Sequence, residues 1–146
     1  ALGVVNKAKV YYIHDTSISN FIGLQTNNLG DLLAFEEGSG WETRWEFLAG
    51  AMRRLESGER CYTWAAGGRL LACAWLAGPR TAPAGAPSGA AVLQGVYCHP
   101  AGRPGLGAFL AAVTGQLHRA GQGPVCVLAP AHDKALHQAL ETIALK

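Results

Sequence analysis

The sequence predicts an α/β domain in which helices flank the faces of a mixed sheet. A Gly67-Gly68 pair between two apolar arms is typical of a hairpin, so the flanking strands should be antiparallel. Residues 90–129 then give a strand, a helix and a second strand, and such a right-handed crossover links parallel strands. We therefore expect strands 90–98 and 124–129 to lie parallel in the sheet.

In the first third of the chain, the sequence predicts some strands and helices more clearly than others. Residues 9–15 suit a short first strand, 16–30 show no assignable pattern, and 29–37 predict a short helix. A capping box that starts at Ser39 opens a clearer helix over 41–57. Its apolar residues recur at spacings of four and three, which predicts one buried face: Trp41, Trp45, Leu48, Met52 and Leu55.

The hairpin over residues 60–78 also predicts the positions of two cysteines. A two-residue turn pairs Ala66 with Arg69, so Cys61 and Cys73 should point to opposite sides of the sheet and be unable to form a disulfide. The four cysteines of the chain show neither a CxxC pair nor a zinc spacing. We therefore expect free, buried thiols in a reducing compartment, and no metal site.

The second half of the chain is easier to divide. Residues 79–89 are rich in proline, glycine, alanine and serine, which predicts a flexible surface connection. In the strand that follows, Gly95 indicates a bulge or a close approach by another backbone. Helices are expected over 105–120 and 132–142, with the strand 124–129 between them.

Composition excludes several classes of protein. The chain has 146 residues, of which 49% are hydrophobic and 15% charged, and this suits a single globular domain over residues 1–146. A net charge of +2 without a basic run does not favour nucleic-acid binding. No apolar run is long enough for a membrane span, and no secretory signal is visible at the start. We therefore expect a cytoplasmic protein with a small-molecule substrate.

The stretch VYCHPAGRPGLGAFLAAV, residues 96–113, passes from a strand through a glycine-rich loop into an apolar helix. It is not a P-loop, because no Lys-Ser or Lys-Thr pair follows Gly107, and a G-x-G-x-x-G fingerprint fails at Leu110. Two interpretations of this stretch remain: it holds an anion by the N–H groups of a helix N-terminus, or it is a turn that binds nothing. Gly105 and Gly107 would leave such an anion unobstructed.

The order of the elements and the stretch YCHPAGRPGLGAFL resemble the acetyl-CoA-binding core of the GNAT N-acetyltransferase superfamily, over roughly residues 40–145. In that family the loop after the fourth strand has the pattern Arg/Gln-x-x-Gly-x-Gly/Ala and wraps the pyrophosphate of CoA. The resemblance implies acetyl-CoA as cofactor and direct attack of a small amine or amino sugar on the thioester. The cofactor-binding residues that it implies are Val96, Cys98, Arg103, Gly105, Leu106, Gly107 and Ala108.

A reaction of this kind needs a base for the amine and an acid for the leaving thiolate. The candidates for the base are Glu36, Glu37, Tyr97 and His99. The tyrosine that serves as the acid in the family is replaced by Leu140, which has no proton to give. His137 is the candidate that could stand in for it.

The chain departs from the family pattern elsewhere too. Gly102 occupies the Arg/Gln position, with Arg103 one place late, and the chain stops at Lys146, where the final strands of the family would begin. We therefore expect a domain truncated at its C-terminal end, with the missing strands supplied by a homodimer partner or a neighbouring domain. The departures leave a second class of function open: a GNAT-like module without catalysis that serves as a binding or regulatory part of a larger protein.

Overall fold

The structure is a computed structural model, and it describes residues 4–5, 8–13, 21–37, 43–83, 85–86 and 89–143. Within these residues the elements are strands, α-helices and one short 3-10 helix. In chain order they are β1 (Val4–Val5), β2 (Ala8–Ile13), β3 (Leu24–Thr26), α1 (Leu29–Leu33), α2 (Arg44–Glu56), β4 (Arg60–Ala66), β5 (Arg69–Leu76), β6 (Ala91–Cys98), the 3-10 helix (Pro100–Gly105), α3 (Leu106–Arg119), β7 (Val125–Pro130) and α4 (Lys134–Ile143).

The described strands form one sheet of seven strands, in the order β1-β2-β7-β6-β5-β4-β3. Neighbouring strands are antiparallel except β6 and β7, which are parallel, with Ala91 opposite Val125. The sequence did not predict β3, which lies within the unassigned residues 16–30. The predicted mixed sheet and its parallel pair are confirmed.

Helices cover both faces of the sheet. On one face, α3 and α4 bury Phe109, Leu110 and Leu136 in a large cluster with the strands. On the other face, Phe35, which follows α1, stacks on Phe47 of α2 with the ring centroids 4.0 Å apart. Fully burying a large apolar side chain contributes about 1.5–3 kcal/mol, so these two layers hold the helices on the sheet.

The outer edge of β7 is covered by β2, from the start of the chain. The two strands pair antiparallel over the whole of β2, from Ala8 opposite Pro130 to Ile13 opposite Val125. A strand of the same chain therefore occupies this edge of β7. The supply of further strands by a homodimer partner or a neighbouring domain stays a prediction.

The β4–β5 hairpin has the predicted turn but not the predicted register. Ala66 pairs with Arg69 as expected. A bulge between Trp64 and Ala65, however, shifts the register by one residue for every pair that lies farther from the turn. Cys61 and Cys73 therefore share one face of the sheet and one buried cluster, so the prediction of opposite faces is wrong. All four cysteines lie in the described part of the chain and are free, as expected.

Helix α2 buries a face that overlaps only in part with the one that its apolar spacing predicts: Leu48 and Leu55 pack against the core as expected, and Trp45 and Met52 do not. Its core residues are Phe47 and Ala51, whereas Trp45 is 81% exposed and Met52 49% exposed. The stacking of Phe47 on the residues after α1 selects this face. The helix also begins later than predicted, with a capping box of Thr43 and its third helical residue; the predicted box and Trp41 lie outside the described residues.

Candidate functional site

The parallel strands β6 and β7 separate before either of them ends. Their pairing stops at Leu93 opposite Val127, although β6 continues to Cys98 and β7 to Pro130. Directly beyond this point Gly95 has a φ of 60°, and the register of β6 with β5 shifts. Since side chains disfavour that φ, the glycine permits a bulge that turns β6, and the predicted bulge is confirmed.

The second half of β6 stays hydrogen-bonded to β5 along one edge, and its other edge no longer pairs with β7. The N–H of His99 donates to the carbonyl of Leu71, and Tyr97 is paired with Cys73. Because backbone groups alternate in direction along a strand, the N–H and C=O groups of Cys98 point away from β5. They are directed to the side from which β7 has separated.

A groove of about 430 Å³ lies between the N-terminal part of α3 and one side of α4. Arg103, Gly107 and Ala108 line one side of it, and Ala139 and Thr142 line the other. Strand β6 leads into the first side and β7 leads into the second. The groove thus lies between the helices that come after the two separated strands, and it brings together three of the predicted cofactor-binding residues.

The loop before α3 is folded into the 3-10 helix, which uses part of the expected anion-binding backbone. The N–H of Leu106 donates to the carbonyl of Arg103. It is therefore not free for an anion, contrary to our expectation for Leu106. Gly107 and Ala108 belong to the first turn of α3, whose N–H groups have no partner within their own helix, and both residues line the groove.

Gly102, Gly105 and Gly107 differ in what surrounds them. A Cβ at Gly102 would lie 2.8 Å from the carbonyl oxygen of Leu71, so the backbone leaves no room for the arginine or glutamine of the family pattern. A Cβ at Gly105 would lie 2.6 Å from the ring of Trp64. A Cβ at Gly107 would keep 3.7 Å from its nearest neighbours, which is ordinary contact. Among the three, Gly107 is the one that opens onto the groove.

The other predicted cofactor-binding side chains differ in exposure. Val96 and Leu106 are buried in the core, so their side chains are not available to a ligand, and the N–H of Leu106 is already bonded to Arg103. Arg103 is exposed at the groove. Burial raises the pKa of Cys98 to about 12, an effect that the nearby Arg103 opposes and Asp133 reinforces. Cys98 is therefore a neutral thiol near pH 7.

His99 is held at both of its ring nitrogens. Nδ1 accepts the N–H of Ala101 at 3.0 Å, and Nε2 lies 3.3 Å from Oε1 of Glu36. In the neutral ring the proton is then on Nε2, which donates to the carboxylate. A histidine in this arrangement caps the 3-10 helix and orients Glu36, and it has no nitrogen left for a substrate proton.

Glu36 lies at the end of β6 because two partners hold it there. Its second oxygen accepts a hydrogen bond from Nε of Arg69 at 2.8 Å. The hydrogen bonds from His99 and Arg69 lower the pKa of Glu36 below its ordinary value, so it is a carboxylate at neutral pH. Its neighbour Glu37 is exposed.

Two further candidates lie away from the groove. The Tyr97 ring is fully buried and packs on Phe35 and Phe47, with centroids 5.0 Å and 5.6 Å away. His137 is bound at both nitrogens: Nδ1 is 2.9 Å from the hydroxyl of Tyr11, and Nε2 is 2.8 Å from the carbonyl oxygen of Pro130. Both residues are structural in this geometry.

Sequence reasoning missed the contacts that organise this region. Arg69 and Trp64 were assigned no role beyond the hairpin, and His99 and Glu36 were separate candidates. The last two lie 63 positions apart in the chain, so no local spacing relates them. Gly105 was attributed to an anion site, whereas the aromatic ring packed against it gives a sufficient reason for a glycine.

No family model and no curated protein matches this chain. In the part of the chain that the structure describes, no group of histidine, cysteine and acidic side chains could hold a metal ion. The same residues include no helix that combines the length and the apolar character needed to cross a membrane.

Proposed function

We propose that this chain binds acetyl-CoA in the groove between α3 and α4 and transfers the acetyl group to a small amine or amino sugar, as GNAT N-acetyltransferases do. The observation that carries the proposal is the separation of β6 from β7 beyond Leu93 and Val127, together with the groove between the helices that come after these two strands. The separation provides backbone donors and acceptors, and the groove provides a helix N-terminus with one arginine.

The groove suits the pyrophosphate of the cofactor. The N–H groups of Gly107 and Ala108 lie at the positive end of the α3 dipole, which favours negative charge. Arg103 adds a charged donor at the same end. Most of the side chains on the two walls are small, among them those of Ala108, Ala135 and Ala139.

The open side of β6 suits the pantetheine arm and the thioester. The backbone groups of Val96 and Cys98 would pair with the amides of the arm in place of β7. An N–H near the bulge at Gly95 would face the oxyanion that develops when the amine attacks. One such donor contributes about 3 kcal/mol to the stability of the transition state.

Glu36 is the base candidate that the contacts favour. It is exposed, charged at neutral pH and fixed at the end of β6 by His99 and Arg69. Its lowered pKa makes it a weak base, so it would bind the protonated amine and pass the proton to water. His99 acts here as the residue that positions Glu36.

The second candidate function is a CoA-binding module without catalysis. It is favoured by the engagement of both ring nitrogens in His99 and in His137, and by the burial of Tyr97. Leu140, at the position of the family's acid, is also fully buried. None of these residues can give a proton to the leaving thiolate in the described geometry.

An acetyl-transfer assay separates the two functions. Acetyl-CoA is mixed with the protein and a panel of small amines and amino sugars, and release of the CoA thiol is followed. We expect release above the rate without protein, and loss of that release in Glu36→Gln. Binding of acetyl-CoA without release for any amine would support the module, and absence of binding would overturn both functions.

A further inference from the structure

A largely buried ion pair lies under the bulge of β6. Arg54, in the last turn of α2, places Nη1 2.8 Å from Oε1 of Glu59, which directly precedes β4. The side chain of Glu59 is 4% exposed and that of Arg54 is 33% exposed. Removing a carboxylate from water is costly, and a buried pair is often no more stabilising than apolar side chains of similar size. Stability alone therefore does not explain this pair.

Both members of the pair contact the bulge. A Cβ at Gly95 would lie 2.7 Å from Nη2 of Arg54, so the guanidinium packs directly on the glycine. The guanidinium carbon also lies 5.7 Å from the ring centroid of Trp75, within the range of a cation–π interaction. Oε2 of Glu59 is 3.5 Å from Nε2 of Gln94. The pair thus reaches the two residues that follow the last β6–β7 pairing at Leu93.

We propose that Arg54 and Glu59 are positioning residues that hold the bulge of β6. A strand that has left one neighbour needs another contact to fix its direction, and the guanidinium clamped by Glu59 provides it against Gly95. The consequence for cofactor binding rests on the function proposed above. The bulge fixes where the backbone groups of Val96 and Cys98 point, and therefore how they would meet the pantetheine arm.

The test removes both charges together. Arg54→Met with Glu59→Gln leaves no unpaired buried charge and keeps an amide beside Gln94, so the fold should survive. The matched control is Arg53→Met, which removes one exposed positive charge from the same turn without touching the bulge. Calorimetry compares CoA with phosphoadenosine diphosphate, the part of CoA that lacks the pantetheine arm. Amide hydrogen exchange of residues 94–98 is measured on the same proteins without ligand.

In the double variant we expect the dissociation constant for CoA to rise about tenfold, the effect of losing one well-placed hydrogen bond. Binding of phosphoadenosine diphosphate should not change, and exchange in residues 94–98 should become faster. The control should resemble the parent protein in all three measurements. Equal weakening of both ligands, or exchange as slow as in the parent, would overturn the positioning role.

The design also separates this inference from the proposed function. If the parent protein fails to bind CoA, the proposed function is wrong, but hydrogen exchange still decides whether the pair holds the bulge. Faster exchange at 94–98 in the double variant, with the control unchanged, supports that role. If the parent binds CoA and the double variant binds it equally well, the proposed function stands and the positioning inference fails.

Discussion

Gly102 and Gly105 of the 3-10 helix and Gly107 of α3 are close together in the chain, yet an added side chain would meet a different neighbour at each of them. The first faces a backbone carbonyl, the second an aromatic ring and the third the groove. A glycine next to a helix start is therefore weak evidence for a bound anion until its neighbours are known. Of the three, Gly107 is the position that reports on a ligand.

Alanine substitutions should separate the two glycines of the G-x-G pattern. Gly105→Ala forces a Cβ to within 2.6 Å of Trp64, and overpacking of this kind costs about 1–3 kcal/mol of unfolding free energy. Gly107→Ala meets only ordinary contacts, and alanine is the better helix former by up to about 1 kcal/mol. Urea denaturation measures both; equal stability of the two variants would contradict the assigned packing.

Arg103 offers a charged side chain to the groove and should contribute modestly to CoA binding. Arg103→Gln should weaken binding by about 1–2 kcal/mol, the value of one charge-assisted hydrogen bond. The control is Arg119→Gln, since Arg119 is exposed at the opposite end of the same helix. Calorimetry at low and high salt should find the Arg103 effect reduced by salt. Identical effects of the two substitutions would remove Arg103 from the site.

The thiols of Cys98, which is half-buried, and of Cys126, which is buried, should resist alkylation near neutral pH. Burial raises the pKa of Cys98 to about 12 and that of Cys126 to about 11, from 9.0, so both are protonated at pH 8. The fraction of thiolate at Cys98 is then roughly a thousandfold below that of an ordinary cysteine. Iodoacetamide labelling, read by mass spectrometry, should be slow and still rising above pH 9. A plateau near pH 9 would contradict the raised pKa.

The same shifts have a consequence for stability. A thiol whose folded pKa is raised favours the folded state fully below its ordinary pKa, and this contribution is lost as the pH rises through the folded value. The contribution of Cys126 should therefore fall between about pH 9 and 11. Denaturation of the parent and of Cys126→Ala across this range should give a steeper decline for the parent.

At the scale of elements, short-range patterns predicted the existence of most strands and helices, but not how they meet. The two-glycine turn gives the Ala66–Arg69 pair correctly, whereas the bulge at Trp64 depends on packing that the turn does not encode. The apolar spacing of α2 gives a helix, yet the partner at Phe35 selects which face is buried. A face is fixed by tertiary contact, so Trp45 could not be placed from periodicity alone.

In the candidate site, too, the features set by local sequence were predicted and the contacts between distant residues were not. Gly95 and the crossover length predicted a bulge and a parallel pair, because both depend on local backbone conformation and connection length. The contact of Glu36 with His99 and Arg69 joins three separate parts of the chain, at separations of 63 and 33 residues. Contacts over such distances become visible only in the folded chain.

Helix α4 is fastened to the sheet by a polar contact that can be tested directly. The hydroxyl of Tyr11 on β2 bonds His137, whose other nitrogen bonds the carbonyl of Pro130. Tyr11→Phe should lower the unfolding free energy by about 0.5–1.5 kcal/mol, the net value of one hydrogen bond. The neighbouring Tyr12→Phe serves as the control, because Tyr12 packs on the opposite face. A control variant that loses as much stability would contradict this fastening role.

At the scale of the whole molecule, the candidate site and its support come from different parts of the chain. The groove and the separated strands belong to residues 91–143, whereas β2 covers the far edge of β7 and contacts α4 through Tyr11. With that edge occupied, β7 keeps β2 as a neighbour where β6 no longer pairs with it. The N-terminal strand thereby stabilises one wall of the groove without lining it.

Binding of acetyl-CoA in the groove is the central claim, and calorimetry on three proteins tests it most directly. The parent and Gly107→Ala should bind acetyl-CoA with similar affinity, because a methyl group at Gly107 meets only ordinary contacts. Gly107→Leu should fill the groove and raise the dissociation constant at least about tenfold, in a protein that stays folded. A folded Gly107→Leu protein that binds acetyl-CoA as tightly as the parent, or a parent that does not bind it, would contradict the claim.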